Sequence, residues 1–87
     1  MMRIVYGRRF LASVTSLPKD TQSKLDALLS LLAINPYDSR LHTKKLHGEF
    51  IGCFSFRITR DWRVMFQFSE QDQIILLTAE HRKDVYR

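Results

Sequence analysis

The strongest constraint on the fold of this sequence is a pair of alternating runs at residues 54–59 and 63–68. In both runs every second side chain is apolar: Phe54, Phe56, Ile58, Val64, Phe66 and Phe68. A period of two is typical of a β-strand that buries one face. The two runs therefore predict an antiparallel hairpin that turns one apolar face toward a core.

The alternation also limits the register of the hairpin. Both apolar sets share a face only if the numbers of paired residues sum to an even value, as for 58 with 64, because a slip of one residue sends one set to the opposite face. Arg57 and Arg63 then lie together on the open face. The turn residues stand at the end of that face and add an arginine, an acid and an exposed indole, namely Arg60, Asp61 and Trp62.

Length and charge limit what the chain can do. Its 87 residues predict one domain over residues 1–87 with a modest core and no deep cofactor cleft, so we expect no cofactor and a function located on the surface. Fourteen lysines and arginines against nine acids give a net charge of +5, which favours an anionic partner such as nucleic acid or an acidic protein segment. Many small basic proteins bind no nucleic acid, so charge alone does not decide the partner.

The cysteine and histidine content limits the chemistry further. Cys53 is the only cysteine, so an internal disulfide is impossible, and its place in a strand pattern predicts a small buried apolar residue. His42 and His47 have no cysteine or carboxylate at a recognised ligand spacing, so we expect no metal site. No apolar run approaches 18 residues and no export signal is recognised, which favours the cytoplasm.

Helix and strand patterns surround the hairpin. Met2–Tyr6 predicts a short opening strand, and Gln73–Ala79 is a nearly continuous apolar run that predicts a central strand. Arg8–Ser16 and Lys19–Asn35 have apolar residues at helical spacing, and the second is a long amphipathic helix that ends before Pro36. Two helices joined by a short link form a hairpin that can cover one face of the sheet.

Two basic segments flank the strands. Tyr37–Gly48 is polar and basic, which predicts a loop or a short edge segment. Its lysines and histidines suit a strip that faces phosphate, although a solvated linker has the same composition. Glu80–Arg87 is predicted to be a tail that either folds back over the arginine face or frays.

Four short motifs follow one another along the chain: K-L-x-G at Lys45–Gly48, S-x-R-I-T at Ser55–Thr59, R-V-x-F at Arg63–Phe66 and H-R-K-D-V-Y at His81–Tyr86. In this order, and over essentially the whole chain, they resemble the RelE/ParE superfamily of toxins from bacterial type II toxin–antitoxin pairs. The resemblance implies an α+β fold, a small βααβββ domain with a twisted antiparallel sheet and an N-terminal helical hairpin packed on one face.

The same resemblance implies a function. RelE-, YoeB- and YafQ-like members cleave mRNA, commonly on the translating ribosome, whereas ParE-like members inhibit DNA gyrase without enzymatic activity. We therefore expect a metal-independent endoribonuclease that acts through the ribose 2′-hydroxyl and is neutralised by a cognate antitoxin in a hetero-oligomer. The alternatives are a ParE-like gyrase inhibitor or a toxin whose activity has decayed. A plain RNA-binding module is less favoured because no RNA-binding motif is recognised.

The resemblance also implies catalytic residues. Arg63 falls where RelE-like and YoeB-like members hold the scissile phosphate, and Arg57 falls on a basic position of the same site. Lys44 stands where those branches have a His or Glu base, so the base remains open between Lys44 and Asp61. His81 is expected to act as the general acid.

Further residues are expected to complete the site and bind the RNA. Trp62 and Tyr86 offer flat surfaces for unstacked bases, and Tyr86 also resembles the aromatic residue that finishes the catalytic site. Lys45, Arg60 and Arg82 are expected to follow the RNA backbone. Taken alone, exposed arginines on a strand are most often solvated, so the shared face of the two strand arginines and the resemblance together support their role.

Overall fold

In the computed structural model the described residues, 1–85, form a five-stranded sheet with three helices. The elements in chain order are β1 (Arg3–Tyr6), α1 (Arg8–Val14), α2 (Lys19–Ile34), β2 (Lys44–Lys45), β3 (Phe54–Arg57), β4 (Trp62–Glu70), β5 (Gln73–His81) and α3 (Arg82–Val85). Two short 3-10 turns, Ser39–Leu41 and Gly48–Phe50, lie on either side of β2. No helix in this part of the chain is long and apolar enough to cross a bilayer.

The strands lie in the order β1-β5-β4-β3-β2, with antiparallel pairing from β5 through β2. The predicted α+β fold is confirmed, with α1 and α2 on one face of the sheet. The sheet is mixed rather than wholly antiparallel, because β1 runs parallel to β5. A parallel pair needs a long crossover connection, and here the chain between β1 and β5, which contains both helices and the other three strands, provides it.

The hairpin of β3 and β4 has the predicted apolar face. Paired residue numbers sum to an even value, as for Phe56 with Val64 and Arg57 with Arg63. The predicted pairing of Ile58 with Val64 is wrong, because Val64 pairs with Phe56. The Ile58 N–H donates to the carbonyl of residue 62 at 2.9 Å, so the turn is tighter than expected.

The main core lies between the sheet and the helices α1 and α2. Phe56, Phe66 and Leu32 are fully buried there, and the apolar stripe of α2 also contributes Leu25 and Leu28. Full burial of such a side chain contributes roughly 1.5–3 kcal/mol relative to exposure. The helices therefore occupy one face of the sheet and leave the other face, here called the open face, for other uses.

A smaller apolar cluster lies on the open face. Leu46 and Met65 are buried there, and Phe50, Cys53 and Leu77 pack against them. Cys53 is half-buried rather than fully buried. The segment before β3 therefore covers the middle of the open face and leaves uncovered the end where Arg57 and Arg63 lie.

The second half of β5 has α1 rather than a strand beside it. β1 pairs only with residues 73–76 of β5. Beyond that point the Gly7 N–H donates to the Leu76 carbonyl at 3.0 Å, and the Ser13 hydroxyl accepts from the Ala79 N–H at 2.9 Å. A Cβ at Gly7 would overlap the Leu76 carbonyl oxygen, so this close approach needs glycine. α1 therefore lies alongside the second half of β5 over its whole length.

Several element bounds differ from the prediction. β5 continues past Ala79, so Glu80 and His81 are strand residues and not part of a tail. α1 ends at Val14, before the predicted end at Ser16. The basic segment at 37–48 contains the short edge strand β2, as one of its two interpretations predicted. The extension of β5 matters most, because it brings two more side chains into the sheet.

Candidate functional site

Arg57, Arg63 and Glu80 stand in one row across β3, β4 and β5. Arg57 pairs with Arg63, and Arg63 pairs with Glu80. The adjacent Phe56 and Val64 are buried in the main core, and side chains alternate along a strand, so the row lies on the open face. Neighbouring strands are about 4.8 Å apart. Two guanidinium groups and a carboxylate therefore share a short stretch of this face.

Arg63 is only 7% exposed, and its guanidinium is bound to the turn between β3 and β4. Its Nη1 donates to the carbonyls of Thr59 at 2.7 Å, Arg60 at 3.0 Å and Trp62 at 3.3 Å. Arginine is suited to this task because its planar group presents several donors in a fixed geometry. Arg63 therefore fixes the turn and places a permanent positive charge beneath the open face.

Arg57 has a different environment. It is half-buried, and its Nε is buried without a hydrogen-bond partner among residues 1–85. An unsatisfied buried donor costs about 1–3 kcal/mol, and like charges directly opposite each other in a sheet are also unfavourable. An anion bound at the half-buried Arg57 would reduce the repulsion between the two charges, so the pair favours a ligand such as phosphate.

The other predicted cations lie at the sheet edge and in the turn. Lys44 pairs with Ser55, which is in line with the open face, whereas Lys45 pairs with Phe54 on the other face. Both lysines and Arg60 are exposed. Lys44 therefore extends the positive surface of the open face and Lys45 does not, while Arg60 adds an exposed positive charge in the turn.

Trp62 and His81 form a further pair, one position beyond Arg63 and Glu80. The alternation of the strands puts this pair on the helix-covered side, at the end of the sheet. The two ring centroids are 5.3 Å apart, and Trp62 packs against the main core. The indole is therefore half-buried, which corrects the prediction that it is exposed.

The turn and the start of α3 are joined at this end of the sheet. The His81 Nδ1 accepts from the Lys83 N–H at 3.3 Å, so in the neutral ring the proton is on Nε2. The Asp61 carbonyl accepts from the Arg82 N–H at 2.7 Å, and Asp61 Oδ1 lies 3.7 Å from Arg82 Nε. Tyr86, which was expected to complete the site, lies outside the described residues.

The predicted catalytic and binding residues thus fall into two groups that meet at one end of the sheet. One group is on the open face and contains Lys44, Arg57 and Arg63. The other is at the sheet end and contains Asp61, Trp62, His81 and Arg82. The structure brings the two strand arginines together and places His81 in the adjacent row, on the other face.

Sequence reasoning missed Glu80 and a cleft beside it. The cleft has a volume of about 630 Å³, and Arg8, Arg9 and Glu80 are among its lining residues. Extending the alternation of β5 past Ala79 would have found Glu80, but no local pattern shows that the start of α1 reaches this cleft. Within residues 1–85, no three histidine, cysteine or acidic side chains are grouped to hold a metal ion.

Comparison with known proteins identifies the fold. No protein-family model and no curated protein matches the sequence. Among solved structures, YafQ from E. coli strain BL21(DE3) is 18% identical over 100% of both chains, with a TM-score of 0.79. A YoeB/ParE toxin from Agrobacterium tumefaciens is 15% identical over 93% of this chain and 99% of its own, with a TM-score of 0.77.

A third solved structure comes from an archaeon and contains a partner. In the RelE–RelB complex from Pyrococcus horikoshii OT3, the similar chain is 22% identical over 93% of this chain and 94% of its own, with a TM-score of 0.76. The three likenesses extend over nearly all of each chain. The chain therefore has the fold of the YafQ, YoeB and RelE toxins.

Proposed function

We propose that this chain is the toxin of a type II toxin–antitoxin system and that it cleaves mRNA at the ribosome, in the cytoplasm. The observation that supports this most is the placement of Arg57 directly beside Arg63 on the open face. Guanidinium groups bind phosphate oxygens with bidentate geometry. The pair is thus suited to one phosphodiester of a bound RNA.

The proposed reaction needs fixed charge and proton transfer. The ribose 2′-oxygen attacks the adjacent phosphorus and the bond to the 5′-oxygen breaks, which gives a 2′,3′-cyclic phosphate and a 5′-hydroxyl. Arg57 binds the phosphate directly, and the charge of Arg63 adds to the stabilisation of the phosphorane oxygens. Preorganised groups of this kind are effective because they do not have to reorient during the reaction.

His81 is proposed to give the leaving 5′-oxygen its proton. His81 lies in the row next to that of Arg63 and Glu80 but on the other face, so the leaving 5′-oxygen must lie at the end of the sheet to reach Nε2. The acid form is an imidazolium with protons on both nitrogens, so it gives up the hydrogen bond from the Lys83 N–H. Asp61 is assigned to holding α3 through Arg82.

Other side chains are proposed to guide the RNA. Lys44 and Arg60 are exposed near the arginine pair, and Arg82 is exposed at the sheet end with 48% of its side chain accessible. Together they can follow the backbone on both sides of the cleaved bond. Lys45 on the edge strand can contact only RNA that passes over that edge. Trp62 presents the outer part of its ring for stacking.

A cognate antitoxin is the proposed partner. RelE of P. horikoshii forms a complex with RelB, and this chain shares the fold. The net charge of +5 suits an acidic segment, which would compete with RNA for the arginine pair. Neutralisation then needs no change of fold, because covering the open face is sufficient.

Induced expression in cells tests the proposed function. Cells express the wild type, Arg57→Ala or the control Arg3→Ala, and both growth and the 5′ ends of cellular mRNA are followed. Arg3 is an exposed arginine of β1 beside the start of β5, 3.5 Å from Glu70, so its removal changes the charge equally at the end of the sheet away from Arg57 and Arg63. We expect growth arrest and new 5′ ends within coding sequences for the wild type and Arg3→Ala, and neither for Arg57→Ala.

Two other outcomes would contradict the proposal. Growth arrest with intact mRNA and accumulating DNA breaks would place the chain with ParE-like gyrase inhibitors. Normal growth with unchanged 5′ ends, when the wild type is present at high level, would indicate a toxin whose activity has decayed.

A further inference from the structure

The cleft of about 630 Å³ lies on the open face beside the arginine row. Met65 and Leu77 line it, together with the half-buried ring of Phe50. Its volume is within the range of pockets that hold small organic ligands, about 300–1,000 Å³. Glu80 also lines it and is paired with Arg63 in the sheet, so the cleft adjoins the proposed phosphate site directly.

The charges around the cleft disfavour a phosphate inside it. The carboxylates of Glu49, Glu80 and Asp84 line it, against the guanidinium groups of Arg8 and Arg9. A phosphate has a better site on the neighbouring arginine pair. An uncharged nucleoside fits the cleft itself, because its base can lie on the apolar lining and its hydroxyl and amino groups can donate to carboxylates.

We propose that this cleft binds the nucleoside on the 5′ side of the cleaved bond and that Glu80 accepts the proton of its 2′-hydroxyl. This inference rests on the proposed function and assigns its general base. Glu80 is one strand from Arg63 and two from Arg57, about 5 and 10 Å across the sheet, which matches a 2′-hydroxyl next to a phosphate held by arginine. The Thr78 hydroxyl donates to Glu80 Oε1 at 3.0 Å and fixes the carboxylate.

The other candidates for the base are less well placed. Lys44 is on the edge strand and is separated from Glu80 by the width of β3 and β4. Asp61 is at the sheet end and its carboxylate faces Arg82. Glu80 is the carboxylate that lies in the same row as the arginine pair.

The proton transfers balance over the reaction. The 2′-hydroxyl proton passes to the Glu80 carboxylate as the bond between O2′ and phosphorus forms. The bond between phosphorus and O5′ breaks, and O5′ takes a proton from the His81 imidazolium. Glu80 then loses its proton to water and His81 regains one from water, which restores the starting state.

Single-turnover cleavage tests the role of Glu80. The purified full chain is mixed with ribosomes programmed with 5′-labelled mRNA, and Glu80→Gln, Glu80→Asp and the control Glu70→Gln are compared. Glu70 is at the far end of β4 beside Arg3, so this control removes one exposed carboxylate of the same sheet. We expect Glu80→Gln to reduce the cleavage rate at saturation by about 10²–10⁴-fold, Glu80→Asp to recover part of it, and Glu70→Gln to match the wild type.

The outcomes separate this inference from the proposed function. Cleavage by Glu80→Gln at the wild-type rate, or an equal loss in the Gln and Asp variants, would overturn Glu80 as the base while cleavage by the wild type upheld the nuclease. No cleavage by the wild type would overturn both.

Phe50→Ala tests the nucleoside site independently of Glu80. Stacking of a base on an aromatic ring is worth enough that its loss is expected to raise the half-saturating concentration about tenfold. The rate at saturation is expected to stay near that of the wild type, and thermal unfolding checks that the variant is folded. An unchanged half-saturating concentration in a folded variant would show that the nucleoside does not bind in the cleft.

Discussion

Arg57 and Arg63 are neighbours on the open face, but they are held in different ways. Arg63 donates to the carbonyls of the turn and is buried, whereas the Arg57 Nε has no partner among the described residues. The same residue type thus serves the fold at one position and is available to a ligand at the next. A substitution that keeps the charge but removes the planar group separates these two uses.

Arg63→Lys is expected to lower the free energy of unfolding by about 1–3 kcal/mol, because an ammonium group cannot satisfy the turn carbonyls in the same geometry. Arg57→Lys leaves those hydrogen bonds intact and removes the unsatisfied Nε, so we expect no loss of stability. Urea unfolding of both variants gives the comparison. Equal destabilisation of the two would contradict the role of Arg63 in the turn.

The sequence was informative at this scale where alternation applies. The period of two was sufficient to place Arg57 and Arg63 on one face, and the structure confirms that placement. The same rule could not show that Arg63 binds the turn, because those hydrogen bonds depend on the turn conformation. Trp62 was predicted to be exposed because it was assigned to the turn; β4 begins at this residue, and alternation from Val64 and Phe66 places its ring on the core side.

Short elements connect the sheet to the helices and depend on single side chains. Asp38 accepts from the Arg40 backbone N–H at 2.9 Å and from Arg40 Nε at 3.0 Å, and so begins the Ser39–Leu41 turn, which buries Leu41. The hydrogen bonds and charge of Arg40 lower the pKa of the Asp38 carboxyl from 3.8 to about 2. A lowered pKa means that the ionised form stabilises the folded state.

This shift predicts how stability depends on pH. The contribution of Asp38 is fully present above about pH 4 and is lost as the pH falls through about 2, the pKa in the folded state. Asn can still cap the turn but has no charge to lose, so Asp38→Asn is a matched variant. The difference in unfolding free energy between wild type and Asp38→Asn is expected to shrink as the pH falls from about 5 to about 2. A difference that stays constant would contradict the Asp38–Arg40 pairing.

Elements with strong periodicity were predictable, and those that depend on distant partners were not. The hairpin strands, the long helix α2 and the central strand β5 all follow from their apolar patterns. The parallel pairing of β1 with β5 could not be predicted, because a short edge strand contains no signal for its partner. The placement of α1 along the end of β5 depends on the close contact at Gly7, which likewise appears only in the folded chain.

At the scale of the whole molecule, the arrangement of charge is more informative than its sum. The net charge of +5 favours an anionic partner without locating it, whereas the paired strands concentrate two arginines on one face. The cleft next to them is lined by both acidic and basic side chains. RNA binding is therefore expected to depend on a few phosphate contacts at defined positions.

Salt dependence of RNA binding tests this arrangement. Removal of one phosphate contact on a single strand is expected to reduce the slope of log affinity against log salt by about 0.7. Arg57→Ala should show this change, and Lys24→Ala should not, because Lys24 is exposed on α2 on the helix side of the sheet. Fluorescence anisotropy with a 2′-deoxy-substituted strand, which cannot be cleaved, gives both slopes. Equal changes in the two variants would indicate diffuse attraction and no defined site.

The chemistry of the RNA ends that the purified chain produces on ribosome-bound mRNA tests cleavage by the 2′-hydroxyl. We expect cuts within codons that leave a 2′,3′-cyclic phosphate and a 5′-hydroxyl, and no cuts by Arg57→Ala. Intact mRNA in the presence of the folded wild-type chain, or cuts that persist unchanged in Arg57→Ala, would contradict the proposed reaction.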